Sequence, residues 1–360
     1  MPLRSVAEVQ SFLARVASAF AAKTFKPHAT FKSGNAQTLA AYAWPRRYRL
    51  RRSPGDEERL FEPEPNVKVL AHCRWHEDRR AHATVVIWHG MEGSTKSVYM
   101  IATAAKAFRA GFNVVRVNFR NCGGTEHLTP TLYHGGLSED LRAVVNELIE
   151  NDSLQRIFVL GFSLGGNLVL KLAGEYGAEA PPQVIAAAAV SPSVDLNAGA
   201  ELILDSRNWI YHKQFLRSLK SRIRLKHKLF PELYDLTELP RIRTIREFDD
   251  AFTAKAAGFA GVDDYYFRAS SIRVIESIRV PTLIIHAEDD PFIPFGPLRH
   301  PVFAANPYIL LVATNHGGHV AFISANSTDE DRFWAENRVV EFFSLANSVH
   351  KEHQTISESS

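Results

Sequence analysis

From Ala83 onward, short unbroken apolar runs alternate with longer segments of helical period. ATVVIWHG (83–90), FNVVRVNFR (112–120), RIFVLGF (156–162) and QVIAAAAVSP (183–192) are β-rich runs too short for typical helices. Between them, VYMIATAAKAFRAG (98–111), LSEDLRAVVNELIEND (137–152) and LGGNLVLKLAGEYG (164–177) repeat apolar positions every three to four residues. Gly111 and Gly177 stop two of these helices, and Ser138, with Asp140 and Leu141 following, reads as a capping box. Continuous strands alternating with helices predict a mostly parallel sheet flanked by helices on both faces, an α/β fold.

The alternation breaks after Val194. A long, basic, helix-rich stretch runs to about residue 275, including RNWIYHKQFLRSLKSRIRLKHKLF (207–230), and reads as a helical cap inserted in the sheet. Strands resume at VPTLIIHAEDD (280–290) and PYILLVATNHGG (307–318), and DRFWAENRVVEFFSLA (331–346) closes the chain as a helix. At the other end, the leader carries apolar positions at helical spacing interrupted by Glu8 and Arg15, which predicts a helix packing on the core rather than a signal peptide. YRLRRSPGDEERLFEPEP (48–65) reads as a polar loop. The expected division is a leader over 1–65, core over 66–193 and 276–350, a cap over 194–275, and a disordered tail over 351–360.

Composition narrows the class. The 360-residue chain has a formal charge of +3 with both signs mixed, so nothing in the balance calls for nucleic acid, and no reader motif or stacking pattern is present. Two cysteines, Cys73 and Cys122, are too few for a disulfide framework and suit a reducing compartment. No long apolar run is present, which points to a cytoplasmic protein with at most peripheral membrane contact. The basic run Arg217–Lys228 reads as a solvated cap face, with attraction to anionic lipid or substrate steering as alternatives.

The chemistry concentrates around one serine. Ser163 lies in Gly-Phe-Ser-Leu-Gly, between the end of a strand and the start of a helix. A turn that sharp strains its central residue and brings neighbouring backbones together, so only glycine fits at Gly161 and Gly165. Such a turn presents a nucleophile. A serine needs a base, and the base needs an orienting carboxylate. Both follow in chain order at later strand ends: Glu288-Asp289-Asp290, then His316 and His319. Asp290 is favoured over Asp289 because Pro-Phe-Ile-Pro fixes the loop after it; His319 is favoured over His316 because Gly317-Gly318 let it approach closely. His-Gly-Gly-His lacks metal-ligand spacing, so neither metal nor cofactor is expected. The N–H of Leu164 and that of Met91, in the loop WHGMEGSTKS (88–97), are the candidate oxyanion donors. His89 reads as an orienting residue and Glu92 as a loop or cap residue. Asn118 and Arg120 read as a polar network near the site, and Cys122 and His134 as loop residues. His89, Gly90, Asn118 and Trp209 are candidates for substrate contact. Trp209, Tyr211 and Phe215 read equally as an acyl pocket or as packing.

Taken together, these stretches resemble the α/β-hydrolase superfamily, and more narrowly its YheT-like branch with the embryogenesis-associated and abhydrolase-domain proteins. FKSGNAQT, WHGMEGSTKSVYM, VNFRNCGGTE, YHGGLSEDL, GFSLGGN, EFDD, GFAGVDDYYFRASS, PTLIIHAEDDPFIP and NHGGHVAF carry the resemblance in order along most of the chain. It implies a serine hydrolase with a Ser163–Asp290–His319 triad acting on short-chain carboxylic esters or acyl lipids. A lipid-directed hydrolase, a thioesterase or acyltransferase, and a silent ligand-binding homologue are the alternatives. Asn121 stands where relatives carry glycine, a change expected to reshape the pocket rim, and the apolar N-terminal anchor of eukaryotic relatives is absent.

Overall fold

The computed structural model describes residues 5–44, 56–325 and 330–358. Eight strands form one sheet: β1 (Asp56–Glu64), β2 (Val67–Arg74), β3 (Thr84–Trp88), β4 (Asn113–Val117), β5 (Ile157–Phe162), β6 (Val184–Val190), β7 (Thr282–Ala287) and β8 (Ile309–Thr314). Their order is β1-β2-β4-β3-β5-β6-β7-β8. Both β1–β2 and β2–β4 are antiparallel, and every other pairing is parallel. Strands β3 to β7 are buried along their whole length, as parallel strands covered on both faces must be.

Helices α1 (Val6–Ala21), α2 (Gly34–Ala43), α3 (Val98–Arg109), α4 (Ser138–Glu150) and α5 (Leu164–Tyr176) precede or interleave the early strands. Between β6 and β7 lie α6 (Leu196–Leu204), α7 (Trp209–Leu229), the short α8 (Ile245–Phe248) continued by a π-helical turn (Asp249–Ala254), and α9 (Val262–Ala269). The short α10 (Pro301–Ala305) precedes β8, and α11 (Trp334–Glu358) ends the chain. One apolar layer joins α1, α3 and α11 to the sheet, where Phe12 packs on Phe342 at 5.6 Å; a second lies beneath α4 and α5. The helices between β6 and β7 hold a smaller cluster of their own around Leu219, Ile223 and Phe248.

Three local expectations fail. Residues 56–64, within the stretch read as a loop, form edge strand β1; residues 48–55 lie outside the described residues. The sequence DEERLFEPE is too charged to read as a strand, because an edge strand with one wet face buries only Phe61 fully. Ser138 is not a cap: Leu137 holds that position, no side chain caps the helix, and Ser138 is its first residue. The last helix continues through the expected tail to Glu358, and residues 359–360 lie outside the described residues. No helix among the described residues is long and apolar enough to cross a membrane.

Candidate active site

The turn from β5 into α5 is as tight as its glycines imply. A Cβ on Gly161 would lie 2.0 Å from the Gly165 carbonyl oxygen, and one on Gly165 would lie 2.4 Å from that of His89. Between them Ser163 adopts φ 54°, ψ −117°, a conformation rarely open to a side chain. Its Oγ stands 2.9 Å from His319 Nε2, and His319 Nδ1 stands 2.7 Å from Asp290 Oδ2. With Nδ1–H donating to the carboxylate, Nε2 is left to accept the serine proton. The other carboxylate oxygen accepts the Phe292 N–H at 2.8 Å and the Ile293 N–H at 3.0 Å, so the turn after Asp290 orients it. Burial alone would raise the Asp290 pKa, but the charge of His319, its hydrogen bond and the backbone donor hold it below the usual carboxylate range.

The neighbouring pair does different work. Asp289 accepts the Gly318 N–H at 2.9 Å and faces His316 Nδ1 at 3.3 Å, which ties down the loop that carries His319. That loop is braced from the far end of the chain: the His319 N–H donates to Thr38 Oγ1 at 2.9 Å. Gly318 packs so closely on α2 that a Cβ there would lie 2.4 Å from the Gly34 carbonyl oxygen. Gln37 adds three bonds, donating to the carbonyls of Phe31 and Ile323 and accepting the Ile323 N–H at 2.6 Å. Gln37 and Thr38 sit in FKSGNAQT, but nothing in that stretch signals which distant loop it holds.

Gly90 passes beside the serine, its position for a Cβ lying 3.0 Å from that of Ser163. The Gly90 carbonyl accepts both the Gly93 N–H at 3.0 Å and His89 Nδ1 at 2.7 Å. Because a trans peptide sets C=O and N–H on opposite sides, pinning that oxygen turns the Met91 N–H the other way. Neither the Met91 nor the Leu164 N–H bonds a protein acceptor among the described residues, and both residues line the cavity above Ser163. His89 Nε2 accepts the Phe119 N–H at 3.0 Å; burial lowers its pKa to about 4, so the ring is neutral.

That cavity, of about 170 Å³, runs from Ser163, Gly90 and His319 up into α7, α8 and α9. Among the proposed substrate contacts, only Gly90 lines it. His89 is buried behind the loop; Asn118 is buried and accepts the Thr95 N–H at 2.8 Å; Trp209 is 59% exposed on the outer surface. Phe215 lines the cavity, whereas Tyr211 packs behind Phe292 at 4.6 Å. Asn121 does not shape the rim: it is buried at φ 63°, the left-handed conformation that glycine or asparagine accepts, and donates to the Thr131 carbonyl at 2.6 Å. Arg120 pairs with Asp140 and Glu64 and ties β1 to α4. Burial raises the Cys122 thiol to about 12 and lowers His134 to about 3, leaving both neutral. Within the basic run, Arg222 and Lys226 turn inward while Arg217, Arg224 and Lys228 face solvent. No group of three or more His, Cys, Asp or Glu side chains is placed to hold a metal among the described residues.

Residues 83–325 match the family model of the alpha/beta hydrolase fold. The chain is an α/β-hydrolase. Within that family it is 32% identical over 284 residues to the YheT protein of Escherichia coli, named as an esterase, covering 78% of this chain and 82% of that one. It is 31% identical to mouse phospholipase ABHD3 over 69% of this chain, a match that spans 60% of the phospholipase. This hydrolase also superposes on the Pyrococcus furiosus esterase Pf2001 with a TM-score of 0.51, at 17% identity over 80% of this chain and 91% of the other, a likeness of fold.

Proposed function

We propose that this α/β-hydrolase is a serine esterase that cleaves carboxylic esters through an acyl-enzyme. The observation that carries the reading is the continuous hydrogen-bonded line from Ser163 Oγ through His319 to buried Asp290, held on a strained turn. His319 Nε2 takes the serine proton as Oγ attacks the ester carbonyl carbon. The charge that develops on the carbonyl oxygen is met by the Met91 and Leu164 N–H groups, with the N-terminal end of α5 behind them. Collapse of that intermediate breaks the bond to the alkoxy oxygen, which leaves as the alcohol with the proton from His319. Water, deprotonated by the same imidazole, then attacks the acyl-serine and releases the acid. Asp290 holds the tautomer and stabilises the imidazolium throughout.

The helices between β6 and β7 serve as the cap that gives the acyl chain an apolar wall, formed by Phe215, Leu219, Ile223 and Phe248. That wall, together with the phospholipase relative, supports a second reading in which acyl lipids are the natural esters. Two buried free thiols fit a cytoplasmic setting. Ser163→Ala is expected to lower turnover of p-nitrophenyl butyrate by about 10⁴-fold or more, and a fluorophosphonate probe to label the wild-type protein at Ser163 alone. Wild-type turnover in the alanine variant would end the esterase reading. Rates that climb with chain length and at micelle surfaces would favour the lipid substrate.

A further inference from the structure

One carboxylate on the cavity wall has no place in the mechanism. Asp249 opens the π-helical turn after α8 and lines the cavity together with Thr253 and Tyr266. Its Oδ1 accepts the Thr253 hydroxyl at 2.7 Å and its Oδ2 accepts the Tyr266 hydroxyl at 2.7 Å. Each oxygen therefore keeps one lone pair uncommitted. No cation pairs with it among the described residues. Arg246, one turn earlier, lies over the Tyr266 ring at 5.6 Å and gives its hydrogen bonds to Asp263 and to Asn197 Oδ1 at 2.8 Å, and Arg222, the only Lys or Arg on the cavity wall among the described residues, is taken up by Glu92 at 3.0 Å.

On the cavity side its neighbours are aromatic, with Phe248 before it in the chain and Tyr265 beside Tyr266. Burial raises the Asp249 carboxyl to about 6, against the pull of its two hydroxyl partners, and no counter-charge pairs with it among the described residues. A tie between helices needs only neutral partners. An uncompensated carboxylate facing a cavity is costly unless something entering that cavity donates to it. A π-helical turn at this point is itself a common mark of a binding site.

We infer that Asp249, fixed by Thr253 and Tyr266, accepts a hydrogen bond from a substrate hydroxyl, so the favoured esters carry a free hydroxyl away from the scissile bond. This deepens the esterase reading and rests on it. The hydroxyl belongs either to the alcohol part, as in a glycerol ester, or to the acyl chain, as in a hydroxy acid. Both present the same donor, and the two are told apart by experiment. A hydrogen bond to an ionised acceptor corresponds to about 10- to 100-fold in kcat/KM.

The test compares matched pairs with the full-length protein: 1-monooctanoylglycerol against propyl octanoate, and ethyl 8-hydroxyoctanoate against ethyl octanoate. Wild type is expected to favour the hydroxylated member of one pair by at least about tenfold. In Asp249→Asn, and in Asp249→Ser as a second variant, that ratio is expected to fall below about threefold. A ratio within one preparation is insensitive to any loss of folded enzyme. Ratios near one for both pairs in wild type, or a preference that survives both substitutions, would overturn the inference. If the octanoates are cleaved and Ser163 is labelled but the ratios are flat, the inference alone fails. If Ser163 is unlabelled and no ester is cleaved, the esterase reading fails with it.

Discussion

One peptide plane carries one of the two N–H groups that the proposed mechanism sets against developing negative charge. The Gly90 carbonyl is pinned by His89 and the Gly93 N–H, and the same plane aims the Met91 N–H at the cavity. His89→Ala should therefore lower kcat on p-nitrophenyl butyrate by about 10²-fold with little change in KM, because the donor matters only once charge develops. His89 and His134 are buried and neutral, with pKa values near 4 and 3, whereas the unfolded chain binds their protons below about 6.5. Stability contributed by these two should rise with pH from about 3 to 6.5 and be lost on acidification. Asp249 acts with the opposite sign: its carboxyl, raised to about 6, binds a proton more tightly in the folded chain, so its contribution falls as pH rises from about 4 to 6. Urea midpoints measured against pH for wild type and Asp249→Asn should differ in that window, with the wild-type curve rising less steeply. At this scale the sequence singled out Ser163, Asp290 and His319, which the fold brings into one hydrogen-bonded line, because turn glycines and strand ends leave local marks. It was silent on Asp249: EFDD shows a pair of acids and not which one faces a cavity.

At the level of elements, the loop after β3 is clamped to α7. Arg222 donates from Nε to Glu92 Oε1 at 3.0 Å and from Nη2 to Oε2 at 3.2 Å; Tyr133 Oη adds a bond at 2.7 Å, and Ser218 a further one. Glu92 sits at φ 56° beside Met91, so this pair joins the helix that walls the cavity to the loop beside the serine. Arg222→Met leaves a buried carboxylate unpaired and should cost about 3–5 kcal/mol in urea denaturation, whereas Arg222→Met with Glu92→Gln should cost clearly less than the two single changes added. Sequence periodicity located the buried strands and the long helices, since each carries its own pattern. It missed β1 because an edge strand with one wet face looks like a polar loop. It also gave Ser138 a cap role that the chain assigns to no side chain, since its backbone turns one residue earlier, at Leu137.

Across the whole molecule, the site draws on a segment far from it in sequence. Helix α1 packs on α11, and α2 supplies Thr38 to the His319 backbone across 281 positions. Thr38→Val leaves the half-buried His319 N–H without this acceptor and loosens the histidine loop, so kcat should fall by about tenfold while Ser163 still reacts, more slowly, with a fluorophosphonate. No local pattern could announce that brace, because its two halves meet only in three dimensions. The span also sets an order of events when the chain folds. The β5–α5 turn is local, whereas His319 meets Thr38 only after a loop of 281 positions has closed, so the hydrogen-bonded line to Ser163 is completed by one of the most entropically expensive contacts in the fold.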